Sequence, residues 1–403
     1  MKTVQEVAKK SMLDNVMQQF NKTADAINLN SNIRKILSIT NNEIILHFPV
    51  KMDSGEVQIF TGYRVQHNNA LGPYKGGLRY HPTVDVQDAK ALAMWMTWKT
   101  SLAGLPYGGA KGGIQIDPRD YSIGELERIT RRFTYALGEN IGPEHDIPAP
   151  DVNTNEQTMA WMADTYMSTK SSSERSRNQH VVTGKPAGSG GLEGRNRSTG
   201  YGVYLTIKLL YKSRGESLKG KKFIVQGFGN VGYWTSHFLT NDGAILLAVQ
   251  DAHATIINQK GIAVEDLFEH SKPRKGSIQG FTGAEEIDPK SFFGLDCNIL
   301  IPAALGNQIT ADNAYLIKAD VIAEGANGPT DVEGEKILLQ NGITIIPDIL
   351  CNSGGVIGSY FEWLQNKNGE LWQLEEVMQK IDKKIAEVFY KVEGVVKEGK
   401  IDW

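Results

Sequence analysis

The chain has 403 residues, 40% of them hydrophobic and 22% charged, with a formal net charge of −3. That length suffices for two domains with substantial cores, and the near-balanced charge, with no basic block, excludes a protein built to grip nucleic acid or an anionic membrane surface. Cys297 and Cys351 stand alone in no metal-ligand spacing, which argues against a disulfide framework or a metal site, while the lack of an apolar run long enough to span a bilayer and of an apolar signal core in MKTVQEVAKKSMLDNV points to a soluble, cytoplasmic protein.

Residues 1–40 read as amphipathic helix, with Val4, Val7, Ala8, Leu13, Val16 and Met17 at helical spacing. EIILHFPV and EVQIFTGYRVQH read as strands joined by a turn at Asp53-Ser54-Gly55. The stretch from Gly72 to Pro118 follows as strand, long helix and Gly-rich turn. Ser122 with Glu125 and Thr154 with Gln157 predict capping boxes before two further helices. Between them, the two prolines of HDIPAPDV predict a stiff extended loop ending at Asp151. From 168 to 202, Ser, Gly and Arg dominate and periodicity disappears, which marks an interdomain segment or a ligand-binding loop.

A helix (VYLTIKLLYKS) then leads into KKFIVQGFGNVG. FIVQ is a buried strand, and Gly227, Gly229 and Gly232 give G-x-G-x-x-G at a strand-to-helix turn. The next strand, AILLAVQ, ends at Asp251. This order suits a dinucleotide: a tight turn, backbone close to the pyrophosphate, a helix N-terminus facing it, and an acid for the ribose hydroxyls. NILIPAA, DVIAEGAN and ITIIPDIL alternate with helical stretches, as a doubly wound parallel sheet requires. CNSGGVIGSYFEWLQN and GELWQLEEVMQKIDKKIAEVFYKV close the chain as helices.

Three lysines in the Gly72–Pro118 stretch stand in costly settings. Lys75 precedes Gly76-Gly77, Lys111 lies between two glycine pairs, and Lys99 shares a helix face with Met96 and Leu92. A buried ammonium needs an anion or loses its proton. The cluster therefore suggests a pocket for an anionic small molecule, with one lysine free to act as a base. Each has a plainer reading too: Lys99 can snorkel to water, Asp151 can be a turn residue before a helix, and Ser359 can bond a helix carbonyl.

GPYKGGLRYHP, MTWK, LPYGGAKGG and DIPAPDV, in this order, resemble the glutamate/leucine/phenylalanine/valine dehydrogenase family, and within it the glutamate-specific branch. The resemblance covers almost the whole chain and is weakest before residue 40. It implies an α/β fold of two domains with the active site in the cleft between them. One is a mixed-sheet substrate-binding and oligomerisation domain (residues 1–190, completed by C-terminal helices 355–403). The other is a Rossmann-type NAD(P)-binding domain (200–350). It implies reversible oxidative deamination of L-glutamate to 2-oxoglutarate and ammonium, with the leucine/phenylalanine/valine type as the alternative, and assembly as a homohexamer.

By the same resemblance Lys111 is the catalytic amine and Asp151 the proton shuttle. Lys99 holds the α-carboxylate, and Lys75 with Ser359 the γ-carboxylate. Thr199, Gly227, Gly229, Asn230, Val231, Gly232, Asp251 and Asn327 line the cofactor site. Met96 stands where some relatives carry a glutamine on the α-carboxylate. VQDAHATI departs from a frequent V-S-D-S, so the cofactor is open between NAD and NADP. NAD is favoured, because Asp251 repels a 2′-phosphate and no arginine follows closely. A 2-hydroxy acid dehydrogenase would need a His–carboxylate pair, and His145 and Asp146 point to opposite sides of an extended segment. A non-catalytic nucleotide sensor would be expected to lack Lys111 or Asp151.

Overall fold

The structure is a computed structural model that describes residues 11–399 and 401–403. The chain divides into two compact units, Met1–Ser101 with Pro106–Gly190, and Leu102–Leu105 with Gly191–Trp403. Among the described residues the first unit holds one sheet, built from β1 (Asn42–Lys51), β2 (Val57–Asn68), β3 (Tyr74–Tyr80), β4 (Gly109–Ile114) and β5 (Asp146–Pro150) in the order β1-β2-β4-β3-β5. β1 and β2 form the expected hairpin, with Gly55 at positive φ in its turn. β4 runs antiparallel to β2 and parallel to β3, and β3 is parallel to β5, so the sheet is mixed.

Two local expectations are corrected here. The Gly-rich stretch after Pro106, predicted as a turn, is the central strand β4, buried at all six positions. Its glycines mark contact with neighbours rather than a reversal: a Cβ on Gly109 would sit 2.2 Å from Thr97 Oγ1, and one on Gly112 2.4 Å from the Tyr63 carbonyl oxygen. HDIPAPDV, predicted as a loop, supplies β5. Its prolines are tolerated because β5 is an edge strand with one unpaired side. The Ser122–Glu125 capping box is present, but the second box falls one residue later, at Asn155 and Thr158. Thr154 is engaged elsewhere, donating to the Leu78 carbonyl at 2.7 Å and accepting from the Asp151 amide at 2.8 Å.

Helix Val86–Leu102 lies on one side of this sheet, where Ala89 and Ala93 pack on Val65. The other side is covered by helices Ile123–Leu137 and Glu156–Ser168, whose Phe133 and Met159 join Phe48, Phe60, Leu78, Tyr80 and Ile114 in the core. The N-terminal amphipathic pattern forms two helices, Met12–Ala26 and Ser31–Leu37, separated at Asn28, which takes a positive φ. Val4, Val7 and Ala8 lie outside the described residues.

The second unit carries β6 (Lys222–Gln226), β7 (Ile245–Gln250), β8 (Thr255–Ile257), β9 (Glu285–Glu286), β10 (Ile299–Pro302), β11 (Val321–Ala323) and β12 (Thr344–Ile346), ordered β12-β11-β10-β6-β7-β8-β9. β12 through β7 are parallel, as expected, while β8 and β9 add an antiparallel edge. β6, helix Asn230–Asn241 and β7 make the Rossmann-type βαβ unit. Helices Gly354–Asn368 and Leu374–Gly399 pack on helix Ser198–Ser213 and group with this second unit. Glycines permit the close approach, since a Cβ on Gly202 would lie 2.9 Å from the Gly354 nitrogen.

Candidate active site

Strand register alone gathers the charged groups of the first unit. Leu78 pairs with both Gly112 and Pro150, so the alternate positions Lys75, Gly77 and Arg79 of β3 share a face with Lys111 of β4 and with Asp151, just past β5. Val65, which packs against helix Val86–Leu102, pairs with Lys111 and lies on that face too. Lys99, buried in the last turn of that helix, is therefore on the same side of the sheet.

Lys111 Nζ lies 2.7 Å from Asp151 Oδ2, and Arg79 Nε donates to the same oxygen at 3.3 Å. Lys75 is only 1% exposed and donates to the Ile147 carbonyl at 3.2 Å. Gly77 leaves the space that the ion pair fills: a Cβ there would stand 2.7 Å from Asp151 Cβ and 3.3 Å from Lys111 Nζ. Burial pushes the Lys111 ammonium below the ordinary lysine range. Asp151 opposes this, and Arg79 and Arg64 reinforce it. Burial pulls the Asp151 carboxyl the other way, yet Lys111 and Arg79 outweigh it and hold that group down at about 2. The site thus combines an amine inclined to shed its proton with a carboxylate that stays ionised.

The opposite face of the same sheet carries a second ionic group. Arg64 and Asp146, both fully buried, form a two-pronged pair in which Arg64 Nε donates to Asp146 Oδ2 at 2.8 Å. Gln66 also donates to Oδ2, and Arg64 reaches the Gly76 and Gly77 carbonyls of β3. Asp146 is therefore committed to Arg64, and His145 packs edge-on against Tyr74. His145 and Asp146 thus serve separate partners and make no His–carboxylate pair with each other.

In the second unit Gly227 takes φ +92, and a Cβ on it would meet Ala303 at 2.9 Å. A Cβ on Gly232 would lie 1.9 Å from the Gly227 carbonyl oxygen, so strand and helix need glycine to pack. At Gly229 nothing lies within 4 Å of that position, and helix Asn230–Asn241 begins there with no side-chain cap. An open glycine before an uncapped helix N-terminus fits a pyrophosphate. Asn230 Nδ2 donates to the Asn196 carbonyl at 2.5 Å, and Val231 Cγ1 sits against Gly325. Thr199, in the first turn of helix Ser198–Ser213, has its hydroxyl against Gly355. Asn327 Oδ1 accepts from Asn352 Nδ2 at 3.2 Å.

Asp251 stands past the end of β7, but its carboxylate is already engaged. Oδ1 accepts from the His253 and Ala254 amides at 2.7 Å, and Oδ2 from the Ile278 amide at 2.8 Å. Ser359 is buried, and its hydroxyl accepts from Arg195 Nε at 3.2 Å.

Arg79, Arg195 and the Arg64–Asp146 pair were not singled out from sequence. For Arg79 a signal existed: it is four residues beyond Lys75, an even spacing that puts both on one strand face. Arg64 and Asp146 are 82 positions apart on β2 and β5, strands that do not pair directly, and only the assembled sheet brings them together.

A sequence model described as Glu/Leu/Phe/Val dehydrogenase, dimerisation domain, matches residues 40–168, and one described as Glutamate/Leucine/Phenylalanine/Valine dehydrogenase matches 190–403. An NAD-specific glutamate dehydrogenase of Staphylococcus aureus (strain COL) is 45% identical over 359 residues, covering 89% of this chain and 85% of that protein. A glutamate dehydrogenase of Thermotoga maritima is 43% identical over 394 residues, covering 98% and 94%. Among solved structures, the leucine-bound hetero-hexameric glutamate dehydrogenase of Thermus thermophilus superposes with a TM-score of 0.92 at 35% identity, covering 98% of this chain and 93% of that one. With both family models matched across most of its length, and with the lysine–aspartate pair and the glycine turn each formed, the chain belongs to the Glu/Leu/Phe/Val dehydrogenase family.

Proposed function

We propose that this protein catalyses the reversible oxidative deamination of L-glutamate to 2-oxoglutarate and ammonium with NAD as cofactor. The observation that carries the chemistry is the buried Lys111–Asp151 pair with Arg79 on the same carboxylate oxygen. The Gly227–Gly232 turn would hold NAD, which would supply the hydride acceptor for oxidation at the substrate Cα. Asp151, ionised because two cations face it, accepts a proton from the substrate ammonium and returns one to the leaving nitrogen. Lys111, in its neutral form, activates the water that hydrolyses the iminium. Lys99 binds the α-carboxylate.

Lys75 and Ser359 read the γ-carboxylate, and this sets glutamate apart from leucine, phenylalanine or valine. A deeply buried ammonium such as Lys75 favours a carboxylate over an apolar side chain as its neighbour. NAD is the cofactor named for the Staphylococcus relative, and the Asp251 charge disfavours a 2′-phosphate. Hexameric assembly follows the Thermus relative, with identical subunits as the reading for this chain; exposed Ile45, Val57 and Ile59 on the β1–β2 edge of the first unit suit such contacts. Light scattering coupled to gel filtration checks the assembly.

The test is a steady-state comparison of glutamate and norvaline with NAD and NADP, on the natural protein and on Lys75→Leu. Removing one partner of a buried ion pair costs about 3–5 kcal/mol. Glutamate kcat/KM should therefore fall by roughly two to four powers of ten, and norvaline should gain relative to it. An undiminished glutamate preference in Lys75→Leu would withdraw the assignment of Lys75 to the side chain.

A further inference from the structure

Past the ends of β11 and β12, the second unit buries two carboxylates side by side. Glu324 and Asp348 are each only 7% exposed. Glu324 Oε2 accepts from the Asp348 amide at 3.0 Å, and Asp348 Oδ2 accepts from the Gly328 amide at 2.9 Å. Among the described residues neither carboxylate has an ion-pair partner. Glu335 of helix Val332–Gln340 adds a further negative charge near Glu324, and Thr330 is a neutral neighbour. Ionising both carboxylates in such a place is costly, and burial with the neighbouring Asp348 charge favours the protonated form of Glu324.

The pair also holds something. Asp348 fixes Gly328, while Asn352 Nδ2 spans the Ala326 carbonyl at 3.1 Å, the Asn327 side-chain oxygen at 3.2 Å and the Gly325 carbonyl at 3.3 Å. The segment thus gripped abuts the glycine turn: a Cβ on Gly325 would be 3.2 Å from Ala303 and 3.3 Å from Val231, and Ala303 is also what Gly227 packs against.

We propose that Glu324 and Asp348 carry one proton between them, and that this protonated pair is a clamp holding residues 325–328 against the Gly227–Gly232 turn in the shape that takes NAD. Glu324 is then a positioning residue, acting on the cofactor through Asp348 and Gly328. The proposal rests on the reading of that turn as the dinucleotide site. Burial, with Asp348 beside it, pushes the Glu324 carboxyl up to about 8, so the clamp is closed at neutral pH and opens in mild alkali. The sign is fixed by linkage: a carboxyl whose folded value lies above its unfolded one binds its proton more tightly when folded, so stability is lost as pH rises toward the folded value. NAD affinity falls as pH passes the folded value, because only the protonated pair supports the bound shape.

The experiment is titration of the full-length protein with NAD alone, by calorimetry across roughly pH 6.5 to 9.5, with the melting temperature without NAD over the same range. The natural protein should bind NAD about tenfold more weakly at pH 9 than at pH 7, the limit for a single proton bound only in the competent form. Glu324→Gln mimics the protonated acid, since its amide can accept from the Asp348 nitrogen and donate to its carboxylate. It should bind NAD as the natural protein does at pH 7 and stay flat to pH 9, in affinity and in melting temperature. If Glu324→Gln does not fold, Asp348→Asn keeps an oxygen for the Gly328 amide and removes the neighbouring charge, so the fall in NAD affinity should move to lower pH. A variant that keeps the natural slope, or a natural protein with no slope, overturns the clamp. A natural protein that binds no NAD at pH 7 overturns the dinucleotide reading itself, a distinct result.

Discussion

The two units bury charge in opposite ways. In the first, one carboxylate oxygen of Asp151 receives both Lys111 and Arg79, two cations to one anion. In the second, Glu324 and Asp348 lie together, and among the described residues neither has a cationic partner. A buried site must come near neutrality or meet a large desolvation cost, so each imbalance says what completes it. The cation-rich face is completed by losing a lysine proton or by gaining an anion, and a dicarboxylate substrate brings anions. The anion-rich pair is deeply buried, and the proton proposed for it would complete it. On the roles proposed above, excess charge of one sign marks a reactive place in the first unit and a mechanical one in the second.

The comparison breaks most severely if Lys111 is not the reactive member of its cluster. Lys111→Ala should lower kcat by about 10²–10⁴-fold, the usual worth of a positioned acid–base group. NAD affinity, measured by calorimetry, should be unchanged, because the glycine turn belongs to the other unit. A variant that keeps most of its kcat would reduce the first cluster to a structural ion pair, no more reactive than Arg64–Asp146.

Arg79 sharpens the contrast with a smaller effect. It lowers the Lys111 proton affinity and helps keep Asp151 ionised, so Arg79→Gln removes one of the two cations without touching the amine. The Lys111 value should rise. Activity that needs the neutral amine appears as pH climbs through that value, so the acid limb of the kcat profile should move to higher pH, with kcat on the alkaline plateau largely kept. A limb that stays in place, with kcat reduced at every pH, would make Arg79 a packing residue only.

Much of this was legible in the sequence, and the failures share one cause. The hairpin, the Ser122 cap and the β6–helix–β7 unit rest on spacings within about thirty residues, where periodicity and capping rules operate, and the lysine cluster rests on the residues beside each lysine. β4 and β5 were misread because GGAKGG and DIPAP carry the composition of turns; what makes them strands is pairing with β2 and β3, which local sequence does not encode. The same blindness hid Arg64–Asp146 and Glu324–Asp348, each joined only by tertiary register. Asp251 was a partial success: its position past β7 was correct, but the three amides on its carboxylate were invisible from sequence.

Asp251 is a third way to satisfy a carboxylate, by backbone amides rather than by cations or a proton, and it separates anchoring from recognition. With three amides bound, a carboxylate still has lone-pair capacity for one ribose hydroxyl. Asp251→Asn removes the charge but keeps an oxygen for the His253 and Ala254 amides, while its NH₂ cannot accept from Ile278. Losing that bond should lower the melting temperature modestly, since a hydrogen bond to a charged group is worth about 1.5–3 kcal/mol. Losing the charge should help NADP: a unit charge about 4 Å from a 2′-phosphate in a water-exposed site is worth on the order of 1 kcal/mol. The ratio of kcat/KM for NAD over NADP should therefore fall by roughly fivefold. Both changes together mean that Asp251 anchors the loop and reads the ribose. A lower melting temperature with an unmoved ratio means that it only anchors, and that the preference for NAD is set by another residue.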